Sequence, residues 1–272
     1  MNGPGEVLEL LSLPPIRNSL VALVLAATAL PVVGIFIVGL DVIPMRFAMM
    51  HVALLGIALG LWTGLDPLLC GLVLCAIVGG SLAPLADSPG GHSGPSGFVM
   101  TVAIALALVV LSVAGVNANG AFALLWGSIL ATRPVDVALM AAVAAGTLGF
   151  YAMRRRQLAI LLFDRDMAAC SGIRVQRLTL VLLFILAVAT ASAVKLTGAL
   201  LVDAVTLLPA LAARNLAISL GSAVGWAIGF GLAGNLVGFF LALVLDQPPG
   251  PVMVLTAGAL TLATYLRRRY AQ

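Results

Sequence analysis

The sequence has very little charge. Only 9% of its 272 residues are Asp, Glu, Lys or Arg, whereas a soluble domain carries about 25%. This deficit excludes an ordinary soluble globular fold. The formal net charge of +4 does not indicate nucleic-acid binding, because the basic residues are grouped between long apolar segments, as membrane orientation requires.

Catalytic and redox motifs are also missing. The three cysteines, Cys70, Cys75 and Cys170, form no CxxC pair, so we expect buried thiols rather than a disulfide or a metal site. There is no HExxH, no GxSxG and no pair of intramembrane aspartates, which argues against an intramembrane enzyme. There is no Walker-type GxxxxGK[ST], so we expect this chain to bind no nucleotide and no cofactor of its own.

Long apolar segments dominate what is present. A bilayer core about 30 Å thick requires about 20 apolar residues per helix, and nine segments approach that length. They are 19–40, 45–62, 66–86, 97–116, 135–153, 176–194, 198–215, 221–245 and 251–267. The sequence therefore predicts an all-α polytopic membrane protein with a single transmembrane domain over residues 1–272.

The number of spans stays open between eight and nine. The segments 45–62 and 251–267 are short for a full crossing. The apolar stretch 121–131 is shorter still, so we expect it to be re-entrant or interfacial.

Arginines predict the orientation. One group lies between the fifth and sixth segments, and Arg267, Arg268 and Arg269 follow the last one. Because basic loops stay cytoplasmic, both groups should lie inside, and the four segments between them allow this. Arg214 falls on the same side by this count. The first group comprises Arg154, Arg155, Arg156, Arg165, Arg174 and Arg177.

The loop 163–174, FDRDMAACSGIR, is the most informative polar stretch. Asp164 and Asp166 suit the start of a short helix, because acids favour helix N-termini. Gly172 suits its end, because glycine accepts the left-handed conformation found there. The loop therefore predicts a short amphipathic helix on the cytoplasmic face, with a plain connecting loop as the alternative.

Asp203 lies in the apolar run GALLVDAVTLLPALAARNLA, residues 198–217. An ionisable residue within a membrane is costly and suggests a functional site. A structural pair with Lys195, or with backbone groups, is the alternative. Pro209 interrupts the same run and is expected to kink a helix.

Small residues are spaced for close helix packing. Gly56 and Gly60 form a GxxxG pattern, and Gly221, Gly225 and Gly229 form a longer ridge. Such patterns let helix backbones approach closely in lipid. They predict packing within one protomer, with a homodimer contact or a moving helix interface as alternatives.

His51 is the unusual residue of MRFAMMHVALLGIALG, residues 45–60. It lies in a run that is otherwise lipid-soluble, and no acidic residue lies one turn away. The neighbouring Met45, Met49 and Met50 could bind a soft ion, but methionines in membrane helices usually serve packing.

Together these stretches resemble the permease subunits of ABC importers for zinc, manganese and iron. The resemblance covers most of the chain, and the order and spacing of its pieces make it specific. The pieces are GIFIVGL and HVALLGIALG within 34–60, LLWGSILATRPVDV at 124–137, LLFDRDMAACSGIRVQRL at 161–178, GALLVDAVTLLPALAA at 198–213 and DQPPGP at 246–251.

The resemblance implies the partners. They are a second permease copy, a cytoplasmic ATPase dimer that hydrolyses ATP, and an external metal-binding solute receptor, in a bacterial cytoplasmic membrane. It puts ATPase docking on the loop at about 154–177, with Asp164, Asp166, Ala169 and Gly172 as candidate contacts. Nucleic acid is not an expected partner.

The chain departs from the family beside His51. The family usually has Gly-Asp four to five residues before this histidine and an arginine pair after the first span. Here Arg46 stands at the glycine position and Phe47 at the aspartate position. Leu40 and Asp41 stand at the positions of the arginine pair. An Asp at i−4 would share a helix face with the histidine, and that pair is lost.

Three substrates remain open at this stage. His51 and Asp203 could contact a divalent transition metal transiently, zinc or manganese first. The methionines could favour Cu(I), or the scaffold could carry something other than a free metal. A stand-alone secondary transporter, in which Asp203 couples protons or sodium, is the rival class.

Overall fold

The computed structural model describes residues 14–82, 93–116 and 132–270, without the side chains of 14–15 and 195–200. These residues form nine helices. They are α1 (Pro14–Gly39), α2 (Ile43–Thr63), α3 (Pro67–Leu82), α4 (Ser93–Val113), α5 (Pro134–Phe163), α6 (Arg165–Cys170), α7 (Val175–Leu216), α8 (Leu220–Leu245) and α9 (Pro249–Tyr270). The predicted re-entrant stretch 121–131 lies outside the described residues.

Seven helices in the described ranges are long and apolar enough to cross a membrane. They are α1, α2, α4, α5, the part of α7 from Val175 to Val194, α8 and α9. The helix α3 is apolar but has only 16 residues. The all-helical, multi-pass membrane fold is confirmed, whereas the count of eight to nine transmembrane helices is not.

The helix α7 joins two predicted spans. The segments 176–194 and 198–215 lie on one continuous helix of 42 residues, so the prediction of two separate helices is wrong. The polar residues near 195–198 suggested a boundary, but they include no proline, and Pro209 lies inside the helix without ending it. The count of four separate spans no longer supports the placement of both arginine groups on one side.

The chain divides into two compact units, and α1, α5 and α7 each contribute to both. The first unit contains residues 14–35, 132–150 and 196–270. Small residues bring its helices together: a Cβ on Gly34 of α1 would collide with the carbonyl oxygen of Thr206 on α7. A Cβ on Gly231 of α8 would lie 2.6 Å from the carbonyl oxygen of Ala27. Such contacts are how helices associate in lipid, where no hydrophobic effect drives them together.

The second unit contains residues 36–82, 93–116 and 151–195. Its centre is α2, which packs against both α3 and α4. The closest approach is between α2 and α3, where a Cβ on Gly56 would lie 2.5 Å from the Cα of Gly71. A Cβ on Gly60 would lie equally close to Pro67. Glycine therefore sets the distance between these two helices.

The helix α4 shows how one face is left for lipid. Its buried residues are small or apolar and lie on one side: Ser96, Ala103, Ala107 and Leu111. The opposite side carries exposed large apolar residues at helical spacing: Phe98, Val102, Leu106, Val109 and Val113. In water such a stripe would have to be covered, but in a bilayer it faces acyl chains.

Candidate functional site

The short helix α6 is built from local capping contacts. The carboxylate of Asp164 accepts a hydrogen bond from the backbone N–H of Met167 at 2.9 Å, which caps the helix start. The helix ends after Cys170, and Gly172 takes a positive φ of 76°. The short helix predicted from the sequence is therefore present, with the predicted residues at its two ends.

Almost all of α6 is accessible. The four residues implicated in docking, Asp164, Asp166, Ala169 and Gly172, are exposed. Ala168 is the only α6 residue that is buried. This surface can be reached by another protein.

Apolar side chains flank the acids of this surface. Phe163 is 82% exposed and Met167, one turn later, is 51% exposed. Cys170 is a free, exposed thiol, so the expectation that all three cysteines are buried is wrong there. Cys75 is buried as expected, and Cys70 is only partly buried.

The start of α6 contacts the turn between α1 and α2. The Nη2 of Arg165 donates a hydrogen bond to the carbonyl oxygen of Leu40 at 3.5 Å. One turn earlier, Leu162 lies so close to Gly39 that a Cβ there would be 2.9 Å from its Cδ2. These contacts connect α6 to the turn that leads into α2, the helix that carries His51.

His51 is buried on α2, with 8% of its surface exposed. Its Nδ1 lies 2.8 Å from the carbonyl oxygen of Phe47. A carbonyl can only accept, so Nδ1 carries the proton, and in the neutral ring Nε2 keeps its lone pair. Histidines that bind metals usually donate their other N–H in this way, and a purely structural histidine satisfied by its own helix would look the same.

Arg46 lies five residues before His51 on α2, and the sequence did not predict its position. Its side chain is completely buried, and its guanidinium carbon lies 5.3 Å from the centre of the Phe47 ring. The sequence shows Arg46 inside an apolar segment, and this position is the signal that could have drawn attention to it. The sequence does not show that the guanidinium group points into the protein rather than toward a membrane interface.

The methionines near His51 serve packing. Met45, Met49 and Met50 are all buried. The sulfur of Met49 lies 3.5 Å from where a Cβ on Gly79 would be, and the Cys75 thiol donates to the Met49 carbonyl at 3.5 Å. These contacts fill space between α2 and α3.

Asp203 is partly buried on the half of α7 that belongs to the first unit. His51 belongs to the second unit, so the two candidate metal contacts belong to different units. The side chain of Lys195, the predicted partner of Asp203, lies outside the described residues. Within the described ranges, no three His, Cys, Asp or Glu side chains form a group that could hold a metal ion.

The predicted packing glycines divide into two groups. Gly56 and Gly60 make the close contacts described above, within one protomer. At Gly225 and Gly229 an added Cβ would meet nothing within 4 Å among the described residues, and Gly221 is exposed. The close contacts of α8 come instead from Gly231, two residues after Gly229, and from Gly238, about two turns further along.

Comparison with known proteins assigns these features to one family. The model of the ABC 3 transport family matches residues 12–268. The manganese transport system membrane protein of Halalkalibacterium halodurans is 26% identical, over 93% of this chain and 87% of its own. The high-affinity zinc uptake system membrane protein of Haemophilus influenzae is 24% identical, over 92% and 95%.

A solved structure shows the same fold over nearly the full length. The structure is PsaBC from Streptococcus pneumoniae in complex with Fab. Its matching chain superposes with a TM-score of 0.83 at 25% identity, covering 96% of this chain and 95% of that one.

Proposed function

Because the chain belongs to the ABC 3 transport family, we propose that it is the membrane-spanning subunit of a bacterial importer for a divalent transition metal. Manganese and zinc are the first candidates, because relatives similar over most of the chain are named for them. Iron is a further candidate. The observation that carries the proposal is the family match over residues 12–268, together with the exposed, capped helix α6.

The proposed mechanism is alternating access driven by a partner ATPase. Two copies of the chain enclose a cavity, and an external receptor delivers the ion. ATP binding and hydrolysis on the partner move α6, whose surface is accessible. The hydrogen bond from Arg165 to Leu40 carries that movement toward α2, and the cavity then opens inward.

The proposed metal contacts are His51 and Asp203. A transport site must release its ion, which suits few ligands rather than the closed four-ligand cage of a structural zinc site. The protonated Nδ1 of His51 leaves Nε2 as a single nitrogen ligand. Asp203 supplies a carboxylate oxygen of the kind that manganese prefers.

A second substrate class is supported by the surroundings of His51. Phe47 stands one turn before the histidine where a carboxylate would share its face, and Arg46 is buried beside it. This pair favours a substrate other than a bare divalent cation on the same scaffold. The range of ions that the protein transports distinguishes this second substrate class from a divalent transition metal.

The decisive experiment is uptake by the reconstituted importer. The chain, its ATPase and its receptor are placed in proteoliposomes, and uptake of manganese, zinc, iron and copper ions is measured with and without ATP. We expect ATP-dependent uptake of manganese or zinc. Uptake driven by a proton or sodium gradient without the ATPase would contradict the proposal, and an assembled importer inactive toward all four ions would favour the second substrate class.

Substitutions then test the two contacts. His51→Ala and Asp203→Asn should each slow uptake about tenfold, the effect of losing one contact worth about 1.4 kcal/mol in the rate-limiting state. The control is Asp136→Asn, which alters a buried carboxylate 3.7 Å from Arg133 at the start of α5. Normal uptake by both site variants, or an equal loss in the control, would remove His51 and Asp203 from the pathway.

A further inference from the structure

A groove between α7 and α9 has a basic end and an apolar wall. It lies within the first unit and has a volume of about 470 Å³. Arg214 and Arg268 line it together with Tyr265, and all three side chains are exposed. Leucines from both helices form its apolar wall, and three smaller or polar residues complete the lining: Leu208, Leu211 and Leu262, with Asn215, Gly258 and Thr261.

Two hydrogen bonds between side chains and the facing helix fix the walls of this groove. The hydroxyl of Thr261 on α9 shares its proton between the carbonyl oxygen of Leu208 on α7, at 3.0 Å, and that of Ala257 on its own helix, at 2.8 Å. About two turns along α7, the amide of Asn215 donates to the hydroxyl of Thr264 at 3.2 Å. The two helices that form the groove are therefore joined to each other at two levels along its length.

The charge of the groove is of one sign. Arg214 lies in the last turn of α7, and Arg268 lies in the last turn of α9. No acidic residue lines the groove, and no ion pair of either arginine is found in the described part of the chain. Both helix ends carry partial negative charge, which attracts arginines in general, but that attraction does not require them to line a common groove.

The arrangement matches the shape of a lipid at a membrane surface. Guanidinium groups bind phosphates through two parallel hydrogen bonds, and tyrosine is enriched at the level of lipid headgroups. Basic grooves between transmembrane helices are suited to anionic headgroups at a membrane surface. The leucines continue from this basic end toward the membrane interior, where an acyl chain would lie.

We propose that the α7–α9 groove binds an anionic phospholipid, with its phosphate on Arg214 and Arg268 and an acyl chain along Leu208, Leu211 and Leu262. The inference does not depend on which ion is transported.

The test compares two double variants with the same change in charge. The full-length protein is reconstituted in phosphatidylcholine nanodiscs containing phosphatidylglycerol, and the bound lipid is measured by native mass spectrometry after release. R214Q/R268Q should retain about tenfold less phosphatidylglycerol than the unmodified protein, since each near-surface arginine contributes severalfold to anionic lipid binding. R267Q/R269Q removes two charges from the same turn of α9, outside the lining of the groove, and should retain it.

A third variant tests the apolar part of the groove. Gly258 lines it, and an added Cβ there would meet nothing within 4 Å among the described residues. Gly258→Phe should therefore fill the space for the acyl chain without disturbing the fold, and should also reduce bound phosphatidylglycerol.

Three outcomes would overturn the proposal. Equal lipid loss in both double variants would show general attraction to surface charge. Unchanged lipid in R214Q/R268Q would show that the groove does not select the headgroup. Loss of ATPase association in R214Q/R268Q, with lipid unchanged, would assign the surface to a protein partner instead.

Discussion

The helices α2 and α6 carry the two candidate functions in opposite environments. In α2, 13 of 21 residues are buried, including Arg46 and His51. In α6, Ala168 is the only one of six residues that is buried. The side chains of the first helix lie among its neighbours, and those of the second are exposed.

This difference separates the consequences of substitution. A change in α2 must be accommodated by α3 and α4, so it acts on folding before it acts on transport. A change in α6 meets few neighbours, so the fold should be kept, and the effect should fall on ATPase association if the ATPase docks there. The following predictions test that separation, beginning with the largest expected effect.

Gly56→Leu should cause the largest loss of stability. A Cβ at this position would lie 2.5 Å from the Cα of Gly71 and 2.8 Å from the carbonyl oxygen of Cys70. These are backbone atoms, so α2 and α3 must separate, at a cost of about 3 kcal/mol or more. The thermal midpoint in detergent should fall strongly.

Gly97→Leu is the matched control. Gly97 lies in the helix α4 of the same unit, and an added Cβ would meet nothing within 4 Å among the described residues. This variant should keep its thermal midpoint. An equal fall in both proteins would mean that leucine is generally harmful here and that the α2–α3 approach is not what matters.

The sequence predicted α6 well because its signals are local. An acidic residue that caps a helix and a glycine that ends one act within four residues, and Asp164 and Gly172 do so here. The predicted boundary near residue 195 failed because apolar windows cannot show whether a polar interruption breaks a helix. The family resemblance predicted the overall fold, which local sequence patterns could not predict.

Burial could not be read from the sequence in the same way. Gly229 and Gly231 lie two residues apart on α8, yet only Gly231 meets another helix. Which face of an apolar helix packs is decided by its neighbours, since both faces are apolar in lipid. The inward position of Arg46 escaped prediction for the same reason.

Gly172→Val should have the next largest effect, on association. The φ of 76° at Gly172 costs a branched residue about 1–2 kcal/mol, so the turn after α6 should shift. If the ATPase docks there, its affinity should fall about tenfold. Binding of the purified ATPase to the permease in nanodiscs measures this change.

Gly64→Val provides a control with the same backbone strain. Gly64 ends α2 with a φ of 74°, and an added Cβ there meets nothing within 4 Å in the described ranges, as at Gly172. Both variants should lose similar stability, but Gly64→Val should keep ATPase binding. A matching loss of binding in both would show that strain alone weakens the complex.

Asp164→Ala should give the smallest effect, about fivefold weaker ATPase binding with a nearly unchanged thermal midpoint. The lost cap to the N–H of Met167 is worth about 1 kcal/mol, and α6 is too short to hold its shape without it. Asp164→Asn should restore binding, because asparagine caps as well as aspartate.

Asp166→Ala removes the same charge from the first turn without removing the cap. If Asp164→Asn and Asp166→Ala weaken binding as much as Asp164→Ala, the partner reads the charge of α6. If only Asp164→Ala weakens binding, the partner recognises the shape of α6 that the cap maintains. This second result is the one that the exposed position of α6 leads us to expect.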